Sequence, residues 1–146
     1  QVHVMESTSN ILRRFYTEVW EQKNLDKIAD YFHPDAGQDL LIEDRAVDIS
    51  EVREWMEILH GLVHGITVNF LQTIEDSAWC SAFLEISCTS SQTGKPVTVY
   101  QQIMVRQADG LFLESYPQFD LLRFFAQLEQ LPADAYPLLM GGTRLG

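Results

Sequence analysis

A chain of 146 residues that is 46% hydrophobic and 21% charged has the composition of a globular protein, and its length suits one domain spanning residues 1–146 better than two. The formal net charge of −11 would repel a phosphate backbone, so we expect no nucleic-acid partner. No apolar run approaches the roughly 18 residues of a membrane span and no secretory pattern opens the chain, so we expect a soluble, cytoplasmic protein without a membrane partner.

Two helical patterns occupy the first quarter of the chain. The stretch STSNILRRFYTEVWEQKN begins with residues that favour helix N-caps, and its apolar residues recur at helical spacing. It predicts a strongly amphipathic first helix. A short second helix is predicted in LDKIADYFHPDA, where Pro34 removes a backbone donor and ends the pattern. We expect a brief strand near Leu40 to Ile42 after it.

A third helix is predicted in DISEVREWMEILHGLVHG. Asp48 and Glu51 have the spacing of a capping box at its start. Its apolar residues form one stripe, and we expect the helix to end at Gly65.

From Ile66 onward the hydrophobic period changes from helical to alternating, which indicates strands joined by turns at SSQTGKP and QADG. Helices followed by an antiparallel meander predict an α+β fold. A last short helix is expected at about 121–129, followed by a loop or docked arm at about 131–146. The strands are expected at about 66–75, 78–90, 96–107 and 111–120.

The two cysteines are expected to be small buried residues. If Cys80 and Cys88 lie on one strand, they stand about 26 Å apart, whereas a disulfide needs Cα atoms within about 7 Å. We therefore expect free thiols in a reducing compartment. His60 and His64 are spaced i, i+4 but lack a metal-binding motif around them, so we expect no metal and no other cofactor.

Two segments of the chain resemble a known family. They are ILRRFYTEVWEQKNLDKIADYFHPDA and DGLFLESYPQFDLLRFFAQLEQLP, which together make up about a third of the chain. Both resemble the SnoaL-like polyketide cyclases of the nuclear-transport-factor-2-like superfamily. In the second segment, Tyr116 stands where the family tends to have Trp, and Glu129 where it tends to have Gly. The positions that follow the family pattern are Asp109, Gly110, Glu114, Asp120, Gln127, Leu128 and Pro132.

The resemblance implies a cone fold, in which three N-terminal helices pack on a strongly curved antiparallel sheet of four to six strands. It also implies that Asp120 is the general acid/base, because this is the position at which the cyclases carry their proton-transferring carboxylate. Burial in a pocket would raise a carboxylate pKa and suit that role. The alternative is that Asp120 only caps the helix that follows it, since Asp is a favoured N-cap.

Glu114 and Tyr116 share a face with Asp120 if the last strand is regular, and we expect all three to face the pocket. The Tyr116 hydroxyl would then bind a substrate oxygen, or the ring would simply pack with its hydroxyl in solvent. Pro117 complicates this arrangement, because a bulge at proline would move Asp120 to another face.

Ketosteroid isomerase shares the cone fold, and its oxyanion hole pairs a tyrosine with a protonated aspartate. Tyr16 falls near that tyrosine position, and Gln102 falls at the position of the acid. Asp39 lies one residue from the position of the base. The cyclases also tend to carry a histidine on the strand before the last, whereas VTVYQQIMVRQ contains none.

Four further residues are expected to form an apolar wall, although each is also an ordinary core residue: Trp20, Trp55, Tyr100 and Met104. The first functional hypothesis is a cofactor-independent cyclase, isomerase or hydratase acting on a small apolar carbonyl compound. The alternative is a non-catalytic module that binds a small apolar ligand or dimerises. We expect a homodimer through the sheet, because the apolar face of Val97, Val99, Ile103 and Val105 must be covered either by helices or by a second subunit.

Overall fold

The computed structural model describes residues 6–146, which form an α+β fold as predicted. Within this range the sheet has four antiparallel strands in the order β1-β2-β3-β4. The elements are α1 (Thr8–Phe15), a π-helix (Tyr16–Glu21), a 3-10 helix (Leu25–Tyr31), α2 (Ile49–Leu62), β1 (Val63–Asp76), β2 (Trp79–Ser90), β3 (Pro96–Ala108), β4 (Leu111–Phe119), α3 (Leu121–Gln127) and α4 (Ala135–Met140).

The predicted first helix is present, but its second half is a π-helix. Ser7 caps its start by accepting a hydrogen bond from the Asn10 backbone at 3.2 Å. From Tyr16 onward the turns widen, and the Gln22 amide bonds to the Thr17 carbonyl at 2.9 Å. The wider turn still buries Tyr16 and Trp20, whose rings lie 5.0 Å apart.

The strand expected near Leu40 to Ile42 is wrong, because residues 33–47 form turns and bends. The second helix is a 3-10 helix that ends where Phe32 becomes extended, two residues before the expected stop at Pro34. The segment then runs along the free edge of β4. There, the Gly37 amide bonds to the Leu113 carbonyl at 3.4 Å, and the Val47 amide bonds to the Ser115 carbonyl at 3.1 Å. This segment, residues 33–47, covers the edge of β4.

The capping prediction for α2 is confirmed, whereas its predicted end is wrong. The Asp48 carboxylate accepts a hydrogen bond from the Glu51 backbone at 2.8 Å. The helix ends at Leu62, and Gly65 lies inside β1 with a φ of 65°. The register of β1 against β2 shifts between His64 and Thr67, so this glycine supplies the left-handed backbone of a bulge.

The two faces of the sheet differ in burial. On β3 the inner face is buried and carries Val97, Val99, Gln101, Ile103 and Val105. Their neighbours on β2 are buried too, and α1, the π-helix and α2 contact this side of the sheet. The apolar face considered for dimerisation is therefore covered by the protein's own helices. Dimerisation stays a prediction, and only the outer face of the sheet is left for it.

The C-terminal part contains one helix more than expected. α3 matches the predicted last helix, and α4 lies in the segment predicted to be a loop or arm. Within residues 6–146, no helix is long and apolar enough to cross a membrane.

Candidate functional site

A small cavity lies between the helices and the inner face of the sheet. Its volume is about 50 Å³, which is room for a few water molecules. The wall is aromatic and aliphatic apart from three polar side chains, which belong to Tyr16, Gln101 and Ser115. The apolar lining is formed by Leu12, Phe15, Trp20, Phe32, Val47, Val52, Ile103, Val105, Phe112 and Pro117. We call this space the inner cavity.

A buried hydrogen bond crosses the inner cavity's wall. The Tyr16 hydroxyl donates to Oε1 of Gln101 at 2.5 Å, and the two residues are 1% and 3% exposed. Burial raises the pKa of the Tyr16 phenol well above its usual value. Tyr16 is therefore a neutral hydrogen-bond donor throughout the physiological pH range.

Two more polar groups border the inner cavity. They are the amide nitrogen of Gln101 and the hydroxyl of Ser115, and both side chains line this space. Because the rest of the wall is apolar, these two groups are placed to donate hydrogen bonds to an oxygen of a ligand.

Local structure explains how these polar residues come together. Tyr16 begins the π-helix, which places it over the sheet, and Gln101 lies between Val99 and Ile103 on the inner face of β3. Ser115 reaches the same space from β4, where its backbone carbonyl also holds Val47.

Of the residues predicted for the site, Tyr16 and Trp20 line the inner cavity. Trp55 is instead partly buried and packs against the core. Its ring packs against Phe119 with a centroid distance of 5.3 Å and against Phe124 at 6.3 Å.

The prediction of which β3 residues face the cavity needs correction. Tyr100, Gln102 and Met104 lie on its outer face, because successive side chains of a strand alternate and Gln101 faces inward. Tyr100 is 36% exposed and stacks on Phe83 with a centroid distance of 5.7 Å. The residue that contacts Tyr16 is therefore Gln101, one position before the expected Gln102.

Glu114 and Tyr116 also lie away from the inner cavity, contrary to expectation. Both pair with the outer face of β3, Glu114 opposite Arg106 and Tyr116 opposite Met104. The register is regular at Pro117, and the shift lies instead next to Arg106, so that Leu113 is the extra residue. Pro117 is on an edge strand, which tolerates its missing amide, and it lines the cavity.

The Glu114 carboxylate fastens residues 33–47 to the sheet. Its side chain is fully buried and forms an ion pair with Arg106. It also accepts hydrogen bonds from the Leu41 backbone at 2.8 Å and from the Tyr116 hydroxyl at 2.6 Å. The Tyr116 hydroxyl in turn accepts from the Ile42 backbone at 3.0 Å. These contacts replace the strand that was predicted at Leu40 to Ile42.

Asp39 belongs to this network of contacts between residues 33–47 and the sheet, and not to the inner cavity. It is exposed, with a φ of 51°, and its backbone carbonyl accepts a hydrogen bond from Arg106 at 3.4 Å. Its carboxylate does not line the inner cavity.

Asp120 occupies a helix N-cap position, which was the alternative to a catalytic role in the sequence analysis. It is the N-cap of α3, accepting a hydrogen bond from the Arg123 backbone at 3.2 Å, and it is exposed. It borders a separate surface groove of about 480 Å³ between α3 and the C-terminal segment. The expectation that Asp120 faces the same space as Tyr16 is therefore corrected, because β4 ends at Phe119 and the chain turns into α3.

A second cavity adjoins the inner one. It has a volume of about 270 Å³ and lies between residues 33–47, the start of α2 and β4. Phe32 and Val47 line both spaces. We call it the outer cavity. Within residues 6–146, no group of three His, Cys, Asp or Glu residues is arranged to hold a metal ion.

Comparison with known proteins places this architecture in a family. The model of the SnoaL-like domain matches residues 12–115, whereas no curated protein matches the chain. A SnoaL-like polyketide cyclase from Agrobacterium tumefaciens is 13% identical, with a TM-score of 0.62 over 85% of this chain and 99% of that chain. TsrD from Streptomyces laurentii is 15% identical, with a TM-score of 0.68 over 89% of this chain and 100% of that chain.

A third similar structure is a hypothetical protein with a ketosteroid isomerase-like fold from Catenulispora acidiphila, solved in complex with trimethylamine. It is 13% identical, with a TM-score of 0.66 over 88% of this chain and 98% of that chain. At such identities these structures show the fold, which is the nuclear-transport-factor-2-like cone expected from the sequence. Because the family model spans more than half of its residues, the chain belongs to the SnoaL-like domain family.

Proposed function

We propose that the protein binds a small, neutral, apolar molecule whose single oxygen accepts a hydrogen bond from the Gln101 amide nitrogen in the inner cavity, while Tyr16 orients that amide. The observation that carries this proposal is the buried hydrogen bond from Tyr16 to Oε1 of Gln101, which leaves the Gln101 amide nitrogen and the Ser115 hydroxyl as donors beside the cavity. A ketone or hydroxyl oxygen would satisfy them.

The charge and the lining support a neutral ligand. The chain carries a formal net charge of −11, which disfavours carboxylates and phosphates. The inner cavity offers hydrogen-bond donors but has no charged side chain among its lining residues. A few placed polar groups in an apolar wall are the usual composition of a small-molecule site.

Binding of 2-octanone tests this proposal, with 2-methyl-1-octene as the isostere that lacks the oxygen. We expect Tyr16→Phe and Gln101→Leu each to weaken 2-octanone binding about tenfold, which corresponds to about 1.4 kcal/mol, because Gln101→Leu removes the donor and Tyr16→Phe removes the hydroxyl that orients it. Chemical shifts of ¹⁵N-labelled protein during titration would give the dissociation constants.

The neighbouring residue supplies a matched control. Gln102→Leu makes the same chemical change one position along β3, on the outer face, and should leave the affinity unchanged. Equal affinities of the wild type and both inner variants for 2-octanone would refute the role of Tyr16 and Gln101. The same role would be refuted if the two inner variants lost as much affinity for 2-methyl-1-octene, which has no oxygen, as for 2-octanone.

The second candidate is a cofactor-independent cyclase or isomerase, which membership of the SnoaL-like family supports. Tyr16 is a neutral phenol whose hydroxyl donates to Gln101, and if it turned to a bound carbonyl it would stabilise negative charge that develops on the carbonyl oxygen. A proton acceptor is also needed, but no carboxylate or imidazole is among the residues that line the inner cavity. Asp120, the residue predicted for this task, caps α3.

Hydrogen–deuterium exchange next to the carbonyl of 2-octanone separates the two candidates. We expect Asp120→Asn to leave the exchange rate in D₂O within about twofold of the wild type, because Asn caps a helix as well as Asp does. Proton NMR would follow the loss of signal. A fall of about a hundredfold or more in a protein-catalysed rate would make Asp120 the general acid/base after all.

A further inference from the structure

We propose that the inner and outer cavities are two compartments of one site, which takes an elongated molecule with its oxygen in the inner compartment and an unfunctionalised apolar body in the outer one. This inference rests on the proposed function and adds the shape and chemistry of the ligand. It also makes Phe32 and Val47 the residues that separate the compartments.

Size is the first argument. The inner cavity, at about 50 Å³, is far smaller than the roughly 300 Å³ at which ligand pockets begin. The outer cavity, at about 270 Å³, is several times larger, but its lining contains none of the three polar side chains of the inner cavity. The inner cavity therefore has the polar groups but not the volume for a ligand, whereas the outer cavity has the volume but not those polar groups.

The shared wall is the second argument. Phe32 and Val47 line both cavities, so the two spaces are separated by these side chains. Both residues are only partly buried. Val47 is held to β4 through its backbone amide, so a change of its side-chain rotamer would leave that hydrogen bond intact. Rotation of the two side chains would join the compartments without a rearrangement of the sheet.

The chemistry of the outer cavity is the third argument. Its wall is mainly aliphatic, from Ala36, Leu40, Ala46, Ile49 and Leu113. Asp48 is the charged residue in this lining, and its carboxylate is already bonded to the Ser50 hydroxyl at 2.7 Å and to the Glu51 backbone at 2.8 Å. Oxygens along the body of a ligand would find few hydrogen-bond partners among these lining residues. The expected ligand therefore carries its oxygen at one end only.

The series 2-butanone, 2-hexanone and 2-octanone tests this inference, because only the longer ketones need the outer compartment. Ala46→Phe fills that compartment and should weaken 2-octanone binding at least tenfold, while binding of 2-butanone stays within twofold of the wild type. Ala36→Leu is a milder second variant in case the first does not fold. Ala133→Phe, on the separate groove beside α3, is the matched control and should change neither affinity.

The outcomes distinguish the inference from the function on which it rests. If both filled variants bind 2-octanone as tightly as the wild type while Tyr16→Phe still weakens it, the second compartment is refuted and the inner site stands. If the filled variants weaken 2-octanone but Tyr16→Phe weakens no ketone, the outer cavity binds apolar chains by itself. That result would refute both the proposed function and the joined site.

Discussion

Replacing Glu114 with alanine is expected to lower the free energy of unfolding by about 3 kcal/mol, because the change breaks a buried ion pair and removes the acceptor for two further hydrogen bonds. Arg106 and the Leu41 backbone would lose their partner together. Since these contacts hold residues 33–47 against β4, the loss should also loosen the wall of the outer cavity. Urea denaturation followed by tryptophan fluorescence would measure the change.

An exposed ion pair in the same protein gives the control. Lys95 and Glu129 approach to 2.6 Å, but both side chains are more than half exposed. Glu129→Ala should therefore cost less than about 1 kcal/mol. If Glu114→Ala cost no more than Glu129→Ala, the fastening role of Glu114 would be wrong.

The same carboxylate makes stability depend on pH. Burial opposes ionisation of Glu114, but hydrogen bonds from Tyr116 and the Leu41 amide, together with Arg106, outweigh it and hold its pKa below the usual 4.5. A pKa lowered by folding adds stability above the unfolded pKa, and this stability is lost as the pH falls through the folded pKa. The difference in unfolding free energy between the wild type and Glu114→Gln should therefore shrink below about pH 4.5. A constant difference down to pH 3 would contradict this assignment.

The sequence predicted the parts of the fold that depend on local patterns. The caps at Ser7 and Asp48 and the alternation along β3 each act through neighbouring residues, and the structure has them. The strand near Leu40 failed for a tertiary reason. Its amides bond to the side chains of Glu114 and Tyr116 instead of a neighbouring strand, and no local pattern encodes those partners.

The residues of the site also divide into those that a local sequence pattern indicates and those that depend on tertiary structure. Gln101 could have been found from the sequence, because it stands between Val99 and Ile103 in an otherwise apolar alternation, whereas Gln102 alternates with Tyr100 and Met104. Ser115 could not have been found in this way. Phe112 and Ser115 both line the inner cavity although they are three residues apart, which a regular strand forbids and the extra residue Leu113 permits. The π-helix that carries Tyr16 has no sequence pattern of its own.

The double variant Tyr16→Phe/Gln101→Leu is expected to be at least as stable as the wild type, although each single change should cost about 1–2 kcal/mol. A single change leaves the other buried polar group without its partner, whereas removal of both leaves two apolar side chains in an apolar wall. A stable double variant would therefore show that stability does not require this pair, in keeping with the ligand-binding role proposed for it.

Tyr31→Phe is the control for this experiment. Its hydroxyl is buried and makes no hydrogen bond of ordinary geometry within the described residues, although Arg14 and Glu18 lie close to it, so the loss of that group should cost less stability than either single change at Tyr16 or Gln101. Denaturation of the four Tyr16 and Gln101 combinations would give the coupling between the two changes. If the double variant were destabilised by the sum of the single costs, the pair would be a structural element. If it is stable but binds 2-octanone more weakly than either single variant, the pair serves the ligand.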